Sequence, residues 1–159
     1  MKNAHRIGAV FYVLWGIFHG YIGILLLYTV VHSGTAPTLT AIGNALPPSV
    51  AANDPLVNGV LQHYSWNLIW FGAFAVIVAI FMNWKNSKTG YWFNLVVVSL
   101  TDIGFIFGIV IPGYISAAAG WTGPIFWLLA ALFTTLGLGL GLRPEEAQIA
   151  LKSDGVSSI

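Results

Sequence analysis

The stretch IGAVFYVLWGIFHGYIGILLLYTVV, residues 7–31, contains no Asp, Glu, Lys or Arg. As an α-helix it rises about 38 Å, more than the ~30 Å hydrocarbon core of a bilayer. The apolar core of a secretory signal peptide is much shorter, so this stretch reads as a membrane span. A cleaved leader is the competing reading, because Lys2 and Arg6 precede the stretch. Three further stretches pass the same length and composition test: residues 61–82, 91–111 and 123–142. The third holds a single acid, Asp102, and the fourth has Pro124 in its first turn, where proline is tolerated.

The whole chain agrees with a bilayer as its solvent. Of 159 residues, 7% are charged and 57% are apolar. An average soluble domain has about 25% charged residues, and a small one needs them to cover its surface. A soluble globular domain is excluded, and so is disorder, which needs the opposite composition. A net charge of +1 offers no basic surface to nucleic acid, so no nucleic-acid partner is expected. The chain has no cysteine, which removes disulfides, thiolate metal sites and dithiol redox chemistry together.

The connectors orient the spans. Lys2 and Arg6 precede the first, Lys85 and Lys88 lie between the second and third, and Arg143 and Lys152 follow the fourth. With four spans, all six basic residues fall on one side of the membrane, and the loops 32–60 and 112–122 hold none. The positive-inside rule then puts both termini in the cytoplasm. The expected fold is an all-α four-helix transmembrane bundle over residues 1–142, N-in and C-in, in a bacterial inner membrane. Residues 143–159 are expected to form a short cytoplasmic tail, with a short helix beginning at Pro144. The one long extracytoplasmic loop, 32–60, is expected to lie over the outer surface as a lid containing a short interfacial helix.

Glycines indicate how the helices meet. Gly16, Gly20 and Gly23 lie in the first span, Gly104 and Gly108 in the third, and Gly137, Gly139 and Gly141 in the fourth. Small residues at such spacing are the usual contact faces of helices in lipid. Aromatic residues mark the two interfaces: Trp84, Tyr91 and Trp92 inside, and Tyr28, Tyr64, Tyr114 and Trp121 outside. Trp15, Trp66 and Trp70 lie too deep for either belt.

Polar residues at bilayer depth are expensive and are the first candidates for function. His19 and Asp102 lie near the middle of the first and third spans, which run in the same direction and so bring them to one depth. Helical spacing puts Tyr12, Trp15, Gly16, His19 and Gly23 on one stripe, and His63, Trp66, Asn67, Trp70 and Phe74 on another. Ser99, Asp102 and Phe105 form a shorter stripe. If these faces meet, they enclose a cavity with aromatic walls and polar anchors. Its expected ligand-binding residues are Tyr12, Trp15, His19, His63, Trp66, Asn67, Trp70 and Asp102. The bland alternative is that Asp102 and His19 only tie two helices together.

Several chemistries are excluded. No span holds a Lys for a retinal Schiff base, and no Glu-x-x-His or His-Glu-x-x-His pattern occurs. Phosphate chemistry lacks a nearby Arg or Lys. Haem fits poorly, because the depths of His19 and His63 differ by roughly 12 Å at helical rise. No cofactor or metal is expected. In general build the chain resembles the small four-helix bacterial membrane proteins that include the DoxX-like group. Its segments LWGIFHG, LQHYSWNLIW and DIGFIFG tie it to no single family, and no site residue is carried over.

The leading functional expectation is a binding or accessory membrane protein for a small apolar or amphipathic ligand, quinone- or lipid-like. It would act alone, as a homodimer or within a larger membrane complex. A proton-coupled transporter acting as a dimer is the second reading. The third is a membrane enzyme on a lipid-like substrate, with His19 and Asp102 as its acid–base pair.

Overall fold

The structure, a computed structural model, describes residues 3–43 and 54–156, with side chains described as far as residue 139. All regular structure among these residues is helical. The helices are α1 (Ala4–Ser33), α2 (Thr35–Ile42), α3 (Pro55–Phe81), α4 (Lys88–Phe105), α5 (Ala117–Gly120) and α6 (Thr122–Val156). Four helices are long and apolar enough to cross a membrane: α1, α3, α4 with its continuation, and α6.

Local chemistry sets several of the boundaries. Asp54 caps α3 by accepting from the backbone N–H groups of Leu56 and Val57, and Pro55 occupies the first turn, where no N–H is needed. A 3₁₀ turn over Asn83–Lys85 follows α3, and Asn86 turns the chain in the left-handed region at φ 56°. Ser87 then caps α4 through the N–H of Gly90. Beyond Phe105 the helix widens into a π turn over Ile106–Val110, in which the Ile111 N–H reaches back to Ile106.

The bundle is built around α1, which packs most extensively against α3 and then against α6. The seam with α3 is glycine on glycine. A Cβ at position 16 would fall 2.5 Å from the Gly72 carbonyl oxygen, and one at position 23 would fall 2.7 Å from that of Ser65. Against α6, a Cβ at Gly8 would meet Thr134 and one at Gly137 would meet the backbone of His5. The buried core is correspondingly small in residue size, with Ala9, Ala75, Ala79, Val98 and Ala130 around Tyr12 and Trp15. Many of the larger apolar side chains are exposed, although Leu26, Val30, Leu68 and Val78 are buried. α4 touches α3 and α6 more sparsely. It meets α1 through the side chains of Trp15 and His19.

Three expectations change. Gly104, Gly108 and Gly139 are not packing contacts, because a Cβ at any of them would meet nothing within 4 Å; nor would one at Gly20, although a Cβ at Gly72 would fall 2.9 Å from the Gly20 backbone nitrogen. Gly104 and Gly108 instead line a cavity that Phe18, His19 and Ile22 of α1 also line. No separate helix begins at Pro144, since α6 runs unbroken from Thr122 to Val156. The residues after the proline (EEAQIALK) are mostly strong helix formers and carry the helix past the one missing N–H. In the loop 32–60, α1 extends to Ser33, α2 supplies a short helix, and α3 begins already at Pro55. The remainder of that loop, 44–53, lies outside the described residues.

The packing seam makes a direct prediction. Gly16→Val should destabilise the bundle by about 1–3 kcal/mol, the usual range for overpacking a close contact. Gly104→Ala should leave stability unchanged or raise it by up to ~1 kcal/mol through helix propensity. Unfolding of both variants in mild detergent, followed by circular dichroism, checks the contrast.

Candidate functional site

Trp15 and His19 stand one turn apart on α1, and Asp102 faces them from α4. The indole Nε1–H of Trp15 donates to Asp102 Oδ2 at 2.8 Å. The His19 ring stacks on the Trp15 indole, with centroids 3.9 Å apart and planes tilted by 27°. His19 Nδ1 lies 2.8 Å from the Trp15 carbonyl oxygen. A carbonyl can only accept, so Nδ1 is the donor and carries a proton. That leaves Nε2 facing Asp102 Oδ1 at 3.9 Å, within ion-pair reach but beyond a hydrogen bond. Asp102 is 0% exposed and His19 8%. Asp102 Oδ1 has no hydrogen-bond partner.

His19 and Gly123 line one end of a partly open cavity of about 490 Å³, and the buried Trp15 and Asp102 stand behind His19 without lining it. Phe18, Ile22 and Leu26 of α1 continue the wall for about two helical turns, with Tyr64 and Leu68 of α3 opposite. Gly104 and Gly108 leave the α4 side open, and Ala41 and Ile42 of α2 reach in from the far end. The volume falls in the roughly 300–1,000 Å³ range of small-molecule sites, and apolar walls with few polar groups are their usual make-up. The π turn after Phe105 adjoins the cavity, since Gly108 and Ile109 belong both to it and to the wall. Such turns recur at functional positions in helices.

The structure brings together part of the expected site. Trp15, His19 and Asp102 converge. Tyr12 is fully buried in the core and does not line the cavity. The α3 stripe is a correction: it faces outward, with Trp66 61% and Trp70 53% exposed. His63 is exposed as well, and its imidazole bonds Asn67 on that same outer face at 3.1 Å. The physical reason is the α3 seam. Gly72 and Ser65 turn toward α1, which rotates the tryptophans away from it. Ser99 also leaves the site, since it accepts the Trp127 indole N–H at 2.9 Å.

Other lining residues were not anticipated. Tyr64, which was assigned to the interface, lines the cavity, as do Thr101 and residues of α2. Trp15 was anticipated as a wall, but its role is to donate a hydrogen bond. Its place in the middle of the long apolar stretch and its one-turn spacing from His19 were the available signals. Among the described residues no group of three or more His, Asp or Glu gathers as a metal site. No protein-family model matches the chain, and no curated protein or solved structure is measurably similar to it.

Removing the indole N–H tests the geometry. Trp15→Phe should destabilise the protein by about 1–3 kcal/mol, because it strands a buried acceptor. Thermal unfolding in detergent gives the magnitude. Trp15→Phe combined with Asp102→Leu should recover part of the loss, since the stranded acceptor is then absent.

Proposed function

We propose that the chain is an integral membrane protein that holds one small apolar or amphipathic molecule, quinone- or lipid-like, between α1, α3 and α4. The observation that carries this reading is that His19, held by Trp15 and backed by the buried Asp102, lines the cavity. A purely structural histidine needs no adjoining space, whereas this one borders about 490 Å³ of it. The outward face of α3 supports a place beside a second copy or another membrane protein. His63 and Asn67 bond to each other there, and polar side chains seldom face lipid. The six-to-zero division of basic residues supports both termini on the cytoplasmic side of a bacterial inner membrane.

The closeness of His19 Nε2 and Asp102 Oδ1 favours a second reading, acid–base catalysis on a lipid-like substrate held in the same cavity. A binding protein returns its ligand unchanged, and an enzyme does not, so the mass of the recovered molecule separates the two.

Native mass spectrometry of the protein released from its own membranes tests the binding reading. An adduct on the wild type should be lost from Gly104→Leu, whose side chain projects into the cavity. An adduct that persists in that variant, or its absence from both proteins, overturns the reading. Orientation has its own test, because the chain has no cysteine and any introduced thiol is unique. Ser87→Cys should react with an impermeant maleimide only from the cytoplasmic side, and Tyr114→Cys only from the opposite side.

A further inference from the structure

Polar side chains on the spanning helices place their hydrogen bonds in two ways. His19 and His32 each hold Nδ1 at 2.8 and 2.9 Å from the carbonyl oxygen one turn back on α1. The hydroxyls of Thr29 and Thr135 likewise donate to the carbonyl one turn back. These bonds close on the side chain's own helix. His63 is different, because its Nε2 takes the Asn67 Nδ2–H at 3.1 Å. An amide nitrogen only donates, so Nε2 accepts and the neutral ring carries its proton on Nδ1. Among the described residues, neither that Nδ1–H nor the Asn67 carbonyl oxygen Oδ1 has a partner. Turning the Asn67 amide over swaps which residue keeps the donor and which the acceptor, and one of each still remains.

This unspent donor and acceptor lie on the outward face of α3. Trp66, Trp70 and Ile77 of that face are 61%, 53% and 55% exposed. On α3 the cavity is lined by Tyr64 and Leu68 and by none of these residues. Lipid tails satisfy neither a donor nor an acceptor, and polar side chains on spanning helices normally meet a partner helix. The partner must offer one acceptor and one donor a helical turn apart. A second copy of this chain presents that set. Copies insert in one orientation, so a two-fold axis along the membrane normal lays α3 beside α3 with equal residues at equal depth. His63 of each copy then stands one turn from the other copy's Asn67. That offset is the one the two residues already span within a single helix.

We propose that the outward face of α3 joins two copies of this chain, with the His63 N–H of each bonded to the Asn67 carbonyl of the other. The two-fold arrangement forms both bonds at once, so the contact is closed and stops at a dimer. Trp66 and Trp70 supply its apolar part, and large aromatic residues are the usual anchors of such surfaces. The inference goes beyond the binding reading and does not depend on the cavity, which lies on another side of α3. It commits the α3 face to a second copy in place of another membrane protein.

The test uses the full chain, which has no cysteine of its own, reconstituted in lipid vesicles. Single thiols are introduced as Ile77→Cys on the α3 face, Ile17→Cys on α1 and Leu100→Cys on α4. Ile17 and Leu100 are 59% and 69% exposed, so all three positions are open to a neighbour. Copper phenanthroline joins thiols that meet, and a non-reducing gel counts the dimers. Ile77→Cys should cross-link at least about tenfold faster than either control, the mark of a preferred contact of ~1.4 kcal/mol or more. Adding Asn67→Leu or His63→Leu to Ile77→Cys should raise the protein-to-lipid ratio needed for half cross-linking by about tenfold. Equal rates at the three positions, or a faster rate at either control, overturns the proposal. Cross-linking through Ile77→Cys that neither polar substitution shifts overturns the His63–Asn67 pairing. In the cell's own membranes, a product of twice the chain's mass supports a second copy, and a product of any other mass overturns it. The comparison of faces needs neither polar substitution, so a variant that fails to fold does not weaken it. Gly104→Leu should leave cross-linking through Ile77→Cys unchanged, so the dimer and the binding reading fail separately.

Discussion

A buried carboxyl group must find its partners inside the protein, and Asp102 finds them on α1. Its contact with Trp15 and His19 crosses the bundle from α4, a helix with comparatively sparse backbone packing. An interhelical hydrogen bond in a membrane contributes about 0.6–2 kcal/mol, and stranding the carboxyl costs more than the bond contributes. The pair therefore sets how α4 is rotated and how deep it sits. Everything on the α4 side of the cavity follows from that placement. Thr101 and Phe105 lie within a turn of Asp102 and line the cavity, while Asp102 itself stays buried behind it.

Glycine does two opposite things in this fold. On α1 and α3 it brings backbones together, as at Gly16, Gly23 and Gly72. In α4 and the π turn after it, Gly104 and Gly108 meet nothing and line the cavity. The difference lies in the opposing surface. Glycine on one helix draws a partner close only if the partner is also slim. Here α1 carries Phe18, His19 and Ile22, which line the cavity together with Gly104 and Gly108. The missing α4 side chains then become cavity volume instead of contact. A tight seam on one side of α1 and an open space on the other are consequences of one pattern of small and large residues.

The four helices long and apolar enough to cross a membrane were legible because that property depends on composition over about 20 residues and needs no tertiary information. The common depth of His19 and Asp102 was legible for a similar reason, since helical rise is fixed at ~1.5 Å per residue. Which way each stripe faces was not legible. In water, polarity marks the outer face of a helix, but in lipid both faces are apolar and the marker disappears. The stripe of His63, Trp66, Asn67 and Trp70 was correctly grouped on one face, and that face points outward. The discriminating signal was the small residues, Ser65 and Gly72, on the other face. The continuation of α6 past Pro144 was obscured in the same way by a residue that more often begins or ends a helix than lies within one.

His19 is a polar group on a largely apolar cavity wall, and Asp102 stands behind it, out of the cavity. The Trp15 carbonyl takes the His19 Nδ1–H and the indole stacks on the ring, so the imidazole is held in one orientation on that wall. The α1 part of the wall runs along roughly 12 Å from Phe18 to Leu26. Asp102 acts on the cavity only indirectly, through the His19 ring it faces and through its hold on α4, because Trp15 bonds it one turn from His19.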